Sequence, residues 1–328
     1  MKIGKLPEQM LVRSVIRQAG HRRNEVLAGP AVGRDCAAMA LDGDEVLVLS
    51  TDPVTGTTRH IGSHGIHITA NDLAASGAEP VGVLLTALLP EDTTEEQIQD
   101  MMRDAESACQ KLHMEILGGH TEITRTVTQP LLSVTGVGKA SRAELLTEAK
   151  IRPGQDIVVT KWIGLEATAI LAVEREEELQ SRFSSEFLRT AQSFGQYISV
   201  VAEARTARIF GVSAMHDITE GGIFGALWEM AEGSGVGLTV DLKAIPIRQE
   251  TVEICEYFGV NPYQIMSSGA MLIAAEDGPG LVRELERAHI HGTVIGRFTQ
   301  GPGRTLKNGE DVRYLDRPQP DELYKVVG

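Results

Sequence analysis

Extended patterns alternate with helical patterns along the whole chain, and this alternation is the feature that most restricts its fold. Val46-Leu47-Val48-Leu49 has the unbroken apolar character of a short buried strand. Residues 63–76 have helical spacing, residues 81–88 are extended, and Thr93-Thr94 precedes a helical pattern that runs to Leu112. Two more extended patterns follow at residues 113–117 and 130–137. Strands alternating with helices predict an α/β or α+β fold, and periodicity alone does not choose between the two.

A turn signal near the middle divides this pattern into two halves. Arg152-Pro153-Gly154-Gln155-Asp156 interrupts the alternation, and a new apolar run begins at Ile157. A chain of 328 residues exceeds a typical single domain. We therefore predict one domain at 1–150 and a second at 151–328. In the second half, helical patterns lie at 165–173, 196–210, 221–231, 248–258 and 280–288, and extended patterns lie at 236–241, 270–275 and 291–298.

Four short acidic motifs stand out because small residues surround each carboxylate. We expect each motif where a strand ends or a turn begins, and small neighbours let a bulky ligand approach the backbone. Asp, Glu and Asn offer the hard oxygen atoms that Mg²⁺ prefers beside water and phosphate. One such motif alone is weak, because an Asp after a strand is commonly a turn former or a helix cap. The motifs are Gly33-Arg34-Asp35-Cys36-Ala37-Ala38, Ser50-Thr51-Asp52-Pro53, Asn71-Asp72-Leu73-Ala74-Ala75-Ser76-Gly77-Ala78 and Gly118-Gly119-His120-Thr121-Glu122.

The charge balance limits the ligands that this chain is expected to bind. The formal net charge is −14 and no basic stripe is visible, so nucleic acid is not an expected partner. An acidic protein that binds a polyphosphate usually needs a metal ion between the two negative partners. No apolar stretch is long enough to span a membrane, and the N-terminal residues lack the apolar run of a secretory signal. We therefore expect a cytoplasmic protein with no membrane partner.

Taken together and in this order, the four motifs resemble a known superfamily. Its members include aminoimidazole ribonucleotide synthetase, the glutamine-dependent formylglycinamidine synthetase, selenophosphate synthetase, thiamine-monophosphate kinase and the hydrogenase-maturation protein HypE. The resemblance continues through Gly154-Gln155-Asp156 and through the motif from His216 to Gly222, so it covers nearly the whole chain. It is nearest to the HypE-like and synthetase-related branches. No Gly-x-x-x-x-Gly-Lys-Ser/Thr loop is present, so an ordinary P-loop enzyme is not expected.

The resemblance implies a two-domain α+β fold and a set of site residues. The N-terminal sheet would form a barrel with its twin across a homodimer, and a sandwich-like C-terminal α/β domain would complete an ATP cleft. Family members use ATP to phosphorylate an oxygen of the substrate, generally of an amide or a carbonyl; selenide and a phosphate ester are the acceptors in two branches. The implied residues are Asp35, Asp52, Asp72 and Glu122 for the metal, Asn71, Gly118, Gly119, His120, Thr121 and Lys5 for ATP, and His120 and Asp217 for catalysis.

Three departures from the family pattern bear on the substrate. The family commonly shows two adjacent acids where this chain has Asp35-Cys36; we interpret Cys36 as a packed thiol rather than a nucleophile, because only Arg34 beside it is basic. HypE ends in a cysteine that carries the thiocarboxamide it dehydrates, whereas this sequence has no cysteine after Cys255. Ser267-Ser268-Gly269 stands where HypE-like chains have Asn-Glu-Gly. We therefore expect an acceptor different from that of HypE.

A group of three histidines has two interpretations. His60, His64 and His67 fall at i, i+4 and i+7, so on one helix they would share a face. A zinc site needs further ligands that the sequence does not identify, so we favour a surface or dimer-contact stripe.

Two single histidines near the acidic motifs are also open. His120 contacts a phosphate or acts as an acid, or it bonds a loop backbone; its place within the motif favours the first. His216 forms a catalytic pair with Asp217, or Asp217 and Thr219 cap the helix that starts near Gly221.

Together these features predict a homodimer that uses Mg²⁺ and ATP to phosphorylate an oxygen of a small molecule or a protein-borne amide. Phosphoryl transfer needs positioning and charge neutralisation, which metal-bound carboxylates supply. A kinase that makes a stable phosphate ester, as in the thiamine-monophosphate branch, is the first alternative. A nucleotide-binding partner protein without turnover is the second.

Overall fold

The computed structural model describes residues 8–12, 26–28, 31–34, 36–41, 43–54 and 60–327. The strands are β1 (Val26–Ala28), β2 (Ala37–Ala40), β3 (Glu45–Val54), β4 (Glu79–Leu89), β5 (Glu115–Ile123), β6 (Leu131–Ser141), β7 (Asp156–Thr160), β8 (Ala214–Ile218), β9 (Gly237–Asp241), β10 (Ala270–Ala275), β11 (Gly292–Thr299), β12 (Arg304–Asn308) and β13 (Asp311–Tyr314). The α-helices are α1 (Glu8–Leu11), α2 (Ile61–Ala75), α3 (Glu95–Leu112), α4 (Leu165–Glu174), α5 (Glu176–Leu179), α6 (Ser185–Gln192), α7 (Val201–Phe210), α8 (Gly222–Ser234), α9 (Gln249–Phe258) and α10 (Gly278–Arg287).

The described residues form two compact units, each with its own mixed sheet. The N-terminal unit contains the described residues within 21–30 and 35–145, and the C-terminal unit contains those within 1–20, 31–34 and 146–328. The predicted mixed α/β architecture with two parts is therefore observed. The turn at residues 31–34 belongs to the C-terminal unit, although we predicted a domain at 1–150.

The sheet of the N-terminal unit has the strand order β1-β2-β3-β6-β4-β5. Its neighbours are antiparallel except β4 and β5, which run parallel. Helix α2 lies directly on β3 and β6: a Cβ at Gly65 would meet Val134 at 2.8 Å and Val54 at 3.1 Å. One face of this sheet is therefore covered by helix.

Helix α3 connects β4 to β5 and begins as the sequence predicts. Thr94 Oγ1 accepts a hydrogen bond from the Gln97 backbone N–H, and the Gln97 side chain accepts one from the Thr94 N–H. This reciprocal capping box satisfies two donors at the helix start. The helix ends at His113, which adopts a left-handed conformation with φ of 56°.

The C-terminal unit has the sheet order β13-β12-β9-β11-β7-β10-β8. Every residue of β7 and β10 is buried, because both faces of these strands are covered, and continuous apolar runs are typical of such strands. Their side chains join those of α8 in one apolar core that includes Ile157, Leu272 and Leu227. Among the described residues neither sheet closes into a barrel.

Some elements were not predicted, and their composition gives the reason. Strand β8 is fully buried but contains His216 and Asp217, so it has no apolar run to identify it. Helix α6 and the hairpin of β12 and β13 were also missed, and the predicted helix at 196–210 is α7 preceded by a 3₁₀ turn at Ser193–Tyr197. In the part of the chain that the structure describes, no helix has both the length and the apolar character needed to cross a membrane.

Candidate functional site

Two carboxylates of the N-terminal unit meet at one serine hydroxyl. Ser50 and Asp52 point to the helix-covered side of β3, and Asp72 lies in the last turn of α2. Ser50 Oγ is 2.5 Å from Asp72 Oδ2 and 3.3 Å from Asp52 Oδ2. The single hydroxyl proton cannot serve both carboxylates, so the shorter contact to Asp72 takes it. Two negative groups are thus held close together.

The donor set of this pair fits a divalent cation. Asp72 is only 6% exposed, and its carboxylate and that of Asp52 offer hard oxygen ligands at one hydroxyl. Mg²⁺ is commonly bound through one or two carboxylates, with water and phosphate oxygens as the other ligands. No group of three or more His, Cys, Asp or Glu side chains suited to a metal occurs among the described residues. Asp52 and Asp72 would therefore be the protein ligands that this part of the chain offers.

The Asn71-Asp72 motif lies inside α2 rather than at a strand end or in a turn, which corrects its expected setting. The helix ends at Ala75, and Gly77 follows with φ of 85°. Asn71 is fully buried, so its amide is enclosed by the unit itself. Its contact with a nucleotide stays a prediction.

The Gly118–Glu122 motif lies within the edge strand β5, whereas we expected the strand to end at residue 117. The pairing with β4 skips Leu117, which forms a β-bulge. Gly118 and Gly119 have φ of 148° and 149°, which residues with a side chain rarely adopt. A Cβ at Gly119 would lie 1.9 Å from the Leu85 carbonyl oxygen. Strand pairing alone therefore requires glycine at position 119, whether or not a nucleotide binds.

His120 and Glu122 form a pair on the open face of the N-terminal sheet. His120 Nε2 is 3.3 Å from Glu122 Oε2, and both side chains are exposed. The register places His120 beside Thr86 on the exposed face, whereas Asp52 pairs with the buried Val134 on the helix-covered face. The structure thus brings Asp52 to Asp72 and His120 to Glu122, but it does not unite the four residues in one cluster. Thr121 is exposed on the same strand.

Two of the predicted residues fall outside the part of the chain that the structure describes, but the cysteine beside one of them is described. Lys5 and Asp35 lie outside the described residues. Cys36 is half-buried and packs against the apolar cluster that contains Val46 and Val48, which agrees with the interpretation as a packed thiol.

The three spaced histidines do not share one helix. His60 precedes α2 in a left-handed conformation with φ of 51°, and His64 and His67 lie within the helix. His60 Nδ1 is 2.8 Å from Asp104 Oδ2 of α3, and both residues line an open cleft of about 800 Å³.

In the C-terminal unit, His216 bonds differently from either expectation. Its Nδ1–H donates to the Asp217 backbone carbonyl at 2.7 Å, since a carbonyl can only accept. Its Nε2 lies 3.2 Å from Glu229 Oε2 of α8. The Glu229 carboxylate therefore lies within ion-pair distance of the His216 ring. Asp217 itself is 2% exposed on strand β8.

The start of α8 is capped by the far end of the chain. Gly221 and Gly222 have φ of 86° and 61°, and a Cβ at Gly222 would lie 2.7 Å from the Tyr263 carbonyl oxygen. Asp321 Oδ2 accepts the Gly221 N–H at 2.7 Å, and Asp321 Oδ1 accepts the Leu323 N–H at 2.8 Å. Asp321 thus caps the start of α8.

The Ser267-Ser268-Gly269 segment is held by buried hydrogen bonds. Ser267 Oγ accepts the Gly164 N–H at 2.8 Å, and the Ser268 N–H donates to Glu166 Oε2 at 3.2 Å. Gly269 has φ of 104°, and a Cβ there would lie 2.5 Å from the Tyr197 carbonyl oxygen. The segment is built into the unit, with both serines almost fully buried.

Burial raises the pKa of the Asp321 carboxyl from 3.8 to about 6, although backbone hydrogen bonds partly oppose this change. The folded chain then binds this proton more tightly than the unfolded chain does. We expect the free energy of unfolding of the C-terminal unit to fall as the pH rises from about 4 to about 6. A rise of about two in the pKa corresponds to roughly 3 kcal/mol in the free energy of unfolding. Denaturant unfolding across this range measures the slope, and Asp321→Asn should lose it; an unchanged slope in that variant would assign it to another group.

Three residues of these sites were not identified from the sequence: Ser50 as the bridge, Glu229 and Asp321. Ser50 stands within its motif, but a hydroxyl between two carboxylates depends on the packing of α2 on β3. Glu229 and Asp321 act on residues 13 and 100 positions away. No local pattern signals such long-range partners.

Comparison with known proteins identifies a family for both halves. The model of the AIR synthase related protein N-terminal domain matches residues 33–140, and that of the C-terminal domain matches residues 152–307. Carbamoyl dehydratase HypE of Cupriavidus necator is 27% identical over 286 residues, which are 84% of this chain and 78% of that protein. Selenide, water dikinase of Methanocaldococcus jannaschii is 27% identical over 267 residues, which are 75% of this chain and 74% of that protein.

Solved structures share the fold. A crystal structure of the hydrogenase maturation protein HypE in complex with ATP matches with a TM-score of 0.70 and 18% identity. The match covers 96% of this chain and 95% of the HypE chain. AaThiL complexed with AMPPCP and TMP matches with a TM-score of 0.73 and 21% identity. The match covers 95% of this chain and 97% of the AaThiL chain. At these identities the likeness concerns the fold.

Proposed function

This chain belongs to the AIR synthase related family, and on that premise we propose that it binds ATP with Mg²⁺ and phosphorylates an amide or carbonyl oxygen of its substrate. The substrate is a small molecule or a protein-borne group. The names of two relatives, a carbamoyl dehydratase and a selenide, water dikinase, support ATP-dependent chemistry, and a HypE of the same fold is known in complex with ATP.

The observation that carries the proposal is the pair of Asp52 and Asp72 at the Ser50 hydroxyl. A Mg²⁺ ion held by these carboxylates would neutralise phosphate charge and orient the phosphate for attack. Ser50 fixes the Asp72 carboxylate through its short hydrogen bond, and the contact of α2 with β3 sets the separation of the two acids. Asp35 is proposed as a further ligand of this ion, and Glu122, which lies on the open face, as a ligand of a separate metal ion.

We propose that ATP binds along β5 and the end of α2. The nucleotide contacts are assigned to Asn71, Gly118, Gly119, His120, Thr121 and Lys5. Glycines at 118 and 119 leave the β5 backbone accessible, and the exposed His120 ring is free to turn toward a phosphate. His120 and Asp217 are the proposed catalytic residues, each as a group that moves or holds a proton near the reacting oxygen.

We propose a homodimer built on the open face and edge of the N-terminal sheet. Leu84, on the open face, and Leu117 and Ile123, on the edge strand, are 43%, 48% and 49% exposed, so this unit leaves large apolar side chains for a partner to cover. Strand β5 is an edge of the sheet in the described chain, so one side of its backbone is open to a further strand. A second copy would cover this face and extend the sheet toward a barrel.

The relatives also suggest an alternative, a kinase that leaves a stable phosphorylated product, because selenide, water dikinase and ThiL share the family or the fold. Product analysis separates the possibilities. We expect Mg²⁺-dependent release of orthophosphate together with a dehydrated or condensed product. The orthophosphate is detected by ³¹P NMR and the other product by mass spectrometry. A stable phosphate ester would favour the kinase. ATP binding with only background hydrolysis, for each acceptor tested, would favour a partner protein without turnover.

A further inference from the structure

Within the N-terminal unit, helix α2 lies directly against a glycine of β6. A Cβ at Gly136 would lie 2.4 Å from Thr69 Cγ2 and 2.9 Å from Leu73 Cδ1. A Cβ atom cannot stay at the first of these distances, so a larger residue at this position would move the helix or the strand. The missing side chain of Gly136 therefore permits the close approach of α2 to the sheet.

The same rung of the sheet carries the Ser50 hydroxyl. Gly136 of β6 pairs with Ser50 of β3, and both positions face the helix-covered side. Thr69 and Asp72 are three positions apart on α2, so they lie on the same side of the helix. Helix α2 thus meets this rung at two points. Thr69 contacts Gly136, and Asp72 Oδ2 lies 2.5 Å from Ser50 Oγ.

The contact between Thr69 and Gly136 leaves little freedom for the helix to move. Thr69 is fully buried, and branching at its Cβ leaves it few rotamers in a helix. Gly65, one helical turn earlier, is equally close to the sheet, because a Cβ there would meet Val134 at 2.8 Å and Val54 at 3.1 Å. One glycine of the helix and one glycine of the strand therefore set the distance between α2 and the sheet.

We infer that Gly136 and Thr69 are positioning residues for the proposed magnesium site. Their contact sets the distance between α2 and the sheet, and that distance sets how far the Asp72 carboxylate reaches toward Ser50 and Asp52. The hydrogen bond from Ser50 to Asp72 is 2.5 Å long, and a helix shift of about 1 Å would bring it to the length at which such a bond is lost. The inference deepens the proposed function, on which it rests for the role of Asp52 and Asp72 as metal ligands.

Gly136→Ala in the full chain tests the spacing, and Gly138→Ala is its matched control. Gly138 lies on the same face of β6, but a Cβ there would meet the Glu79 carbonyl oxygen at 3.1 Å and the Ala78 Cβ at 3.3 Å, both beyond the end of α2. Its contact with α2 itself is the end of the Leu73 side chain, at 3.4 Å. We expect Gly136→Ala to raise the Mg²⁺ concentration for half-maximal ATP binding about tenfold and to leave the ATP affinity at saturating Mg²⁺ near the wild-type value. Gly138→Ala should change neither.

A compensating substitution on the helix tests the same contact from the other side. Thr69→Ser removes the Cγ2 methyl group that the methyl group added in Gly136→Ala would strike, whereas Thr69→Val retains a branched side chain of the same shape. The remaining close atom, Leu73 Cδ1, ends a flexible side chain that can turn away. We expect Gly136→Ala with Thr69→Ser to return the Mg²⁺ requirement to within about twofold of wild type, and Gly136→Ala with Thr69→Val to keep it about tenfold higher. The midpoint of denaturant unfolding, measured without nucleotide, should recover in the first double variant and not in the second.

The outcomes separate this inference from the proposed function. A wild-type Mg²⁺ requirement in a folded Gly136→Ala variant overturns the positioning role. Recovery of the unfolding midpoint in the double variant with Thr69→Ser, without recovery of the Mg²⁺ requirement, overturns the link to the metal site.

Two further outcomes are also decisive. Where Gly136→Ala alone does not fold, the double variant with Thr69→Ser must fold and bind ATP with the wild-type Mg²⁺ requirement, and failure of either overturns the inference. If the wild-type chain binds no ATP with Mg²⁺ at all, the proposed function fails, while recovery of the unfolding midpoint in that double variant still supports the contact of α2 with β6.

Discussion

Replacing Asp52 by Asn is expected to abolish Mg²⁺-dependent ATP binding, with a loss of affinity of roughly 100-fold or more. Asn has nearly the shape of Asp, so the packing of β3 against α2 should persist. The substitution removes one of the two charges that meet at Ser50, and an amide oxygen is a weaker ligand for a hard cation. Isothermal titration of the full chain with ATP, with and without Mg²⁺, measures the loss.

Asp44→Asn is the matched control for this experiment. Asp44 is exposed in the turn before β3 and is a carboxylate of the same unit. We expect it to leave the affinity and its Mg²⁺ dependence unchanged. If Asp52→Asn also retained both, the central proposal of an acidic magnesium site at Ser50, Asp52 and Asp72 would be wrong.

The sequence predicted the parts of this site that depend on local pattern. Apolar runs and helical spacing located part of β3 and most of α2. Asp52 lies inside β3, which continues past the predicted strand to Val54, and Asp72 lies in the last turn of α2. The capping box at Thr94 and the strand β10 were equally local, so they were found. The ordered motifs also led to the family, because their order is a property of the chain and not of any single residue.

The parts that the sequence could not predict are those set by pairing between distant segments. The Gly118–Glu122 motif is polar and rich in glycine, which is typical of a turn, yet β4 holds it in an extended strand. The face on which His120 lies follows from the bulge at Leu117, and no periodicity shows a bulge in advance. Glu229 and Asp321 are ordinary acids in the sequence, and only the fold brings them to His216 and Gly221.

The acceptor is the least determined feature for a related reason. Relatives that share the family are named for different substrates, so the fold does not select one. In this chain the segment at Ser267 and Ser268 is closed by bonds to Gly164 and Glu166. Both serines are almost fully buried, and the expectation that a different acceptor is recognised at this segment stays a prediction.

Gly119→Ala is expected to destabilise the N-terminal unit by about 3 kcal/mol or more. The methyl group would fall 1.9 Å from the Leu85 carbonyl oxygen, so β5 could no longer pair with β4 at this register. The backbone φ of 149° adds strain for any residue with a side chain. Denaturant unfolding of the full chain, followed through a probe in the N-terminal unit, measures the change.

Gly118→Ala separates the two causes, because Gly118 shares the backbone conformation but not the collision. Its φ is 148°, and a Cβ there would meet only the end of the Leu84 side chain, at 3.7 Å. We expect a loss of roughly 1–2 kcal/mol from backbone strain alone. The difference between the two variants then reports the contact of β5 with β4. Equal losses would mean that strain, and not the approach of the two strands, explains both glycines, and the motif would then be free to move away from β4 when a ligand binds.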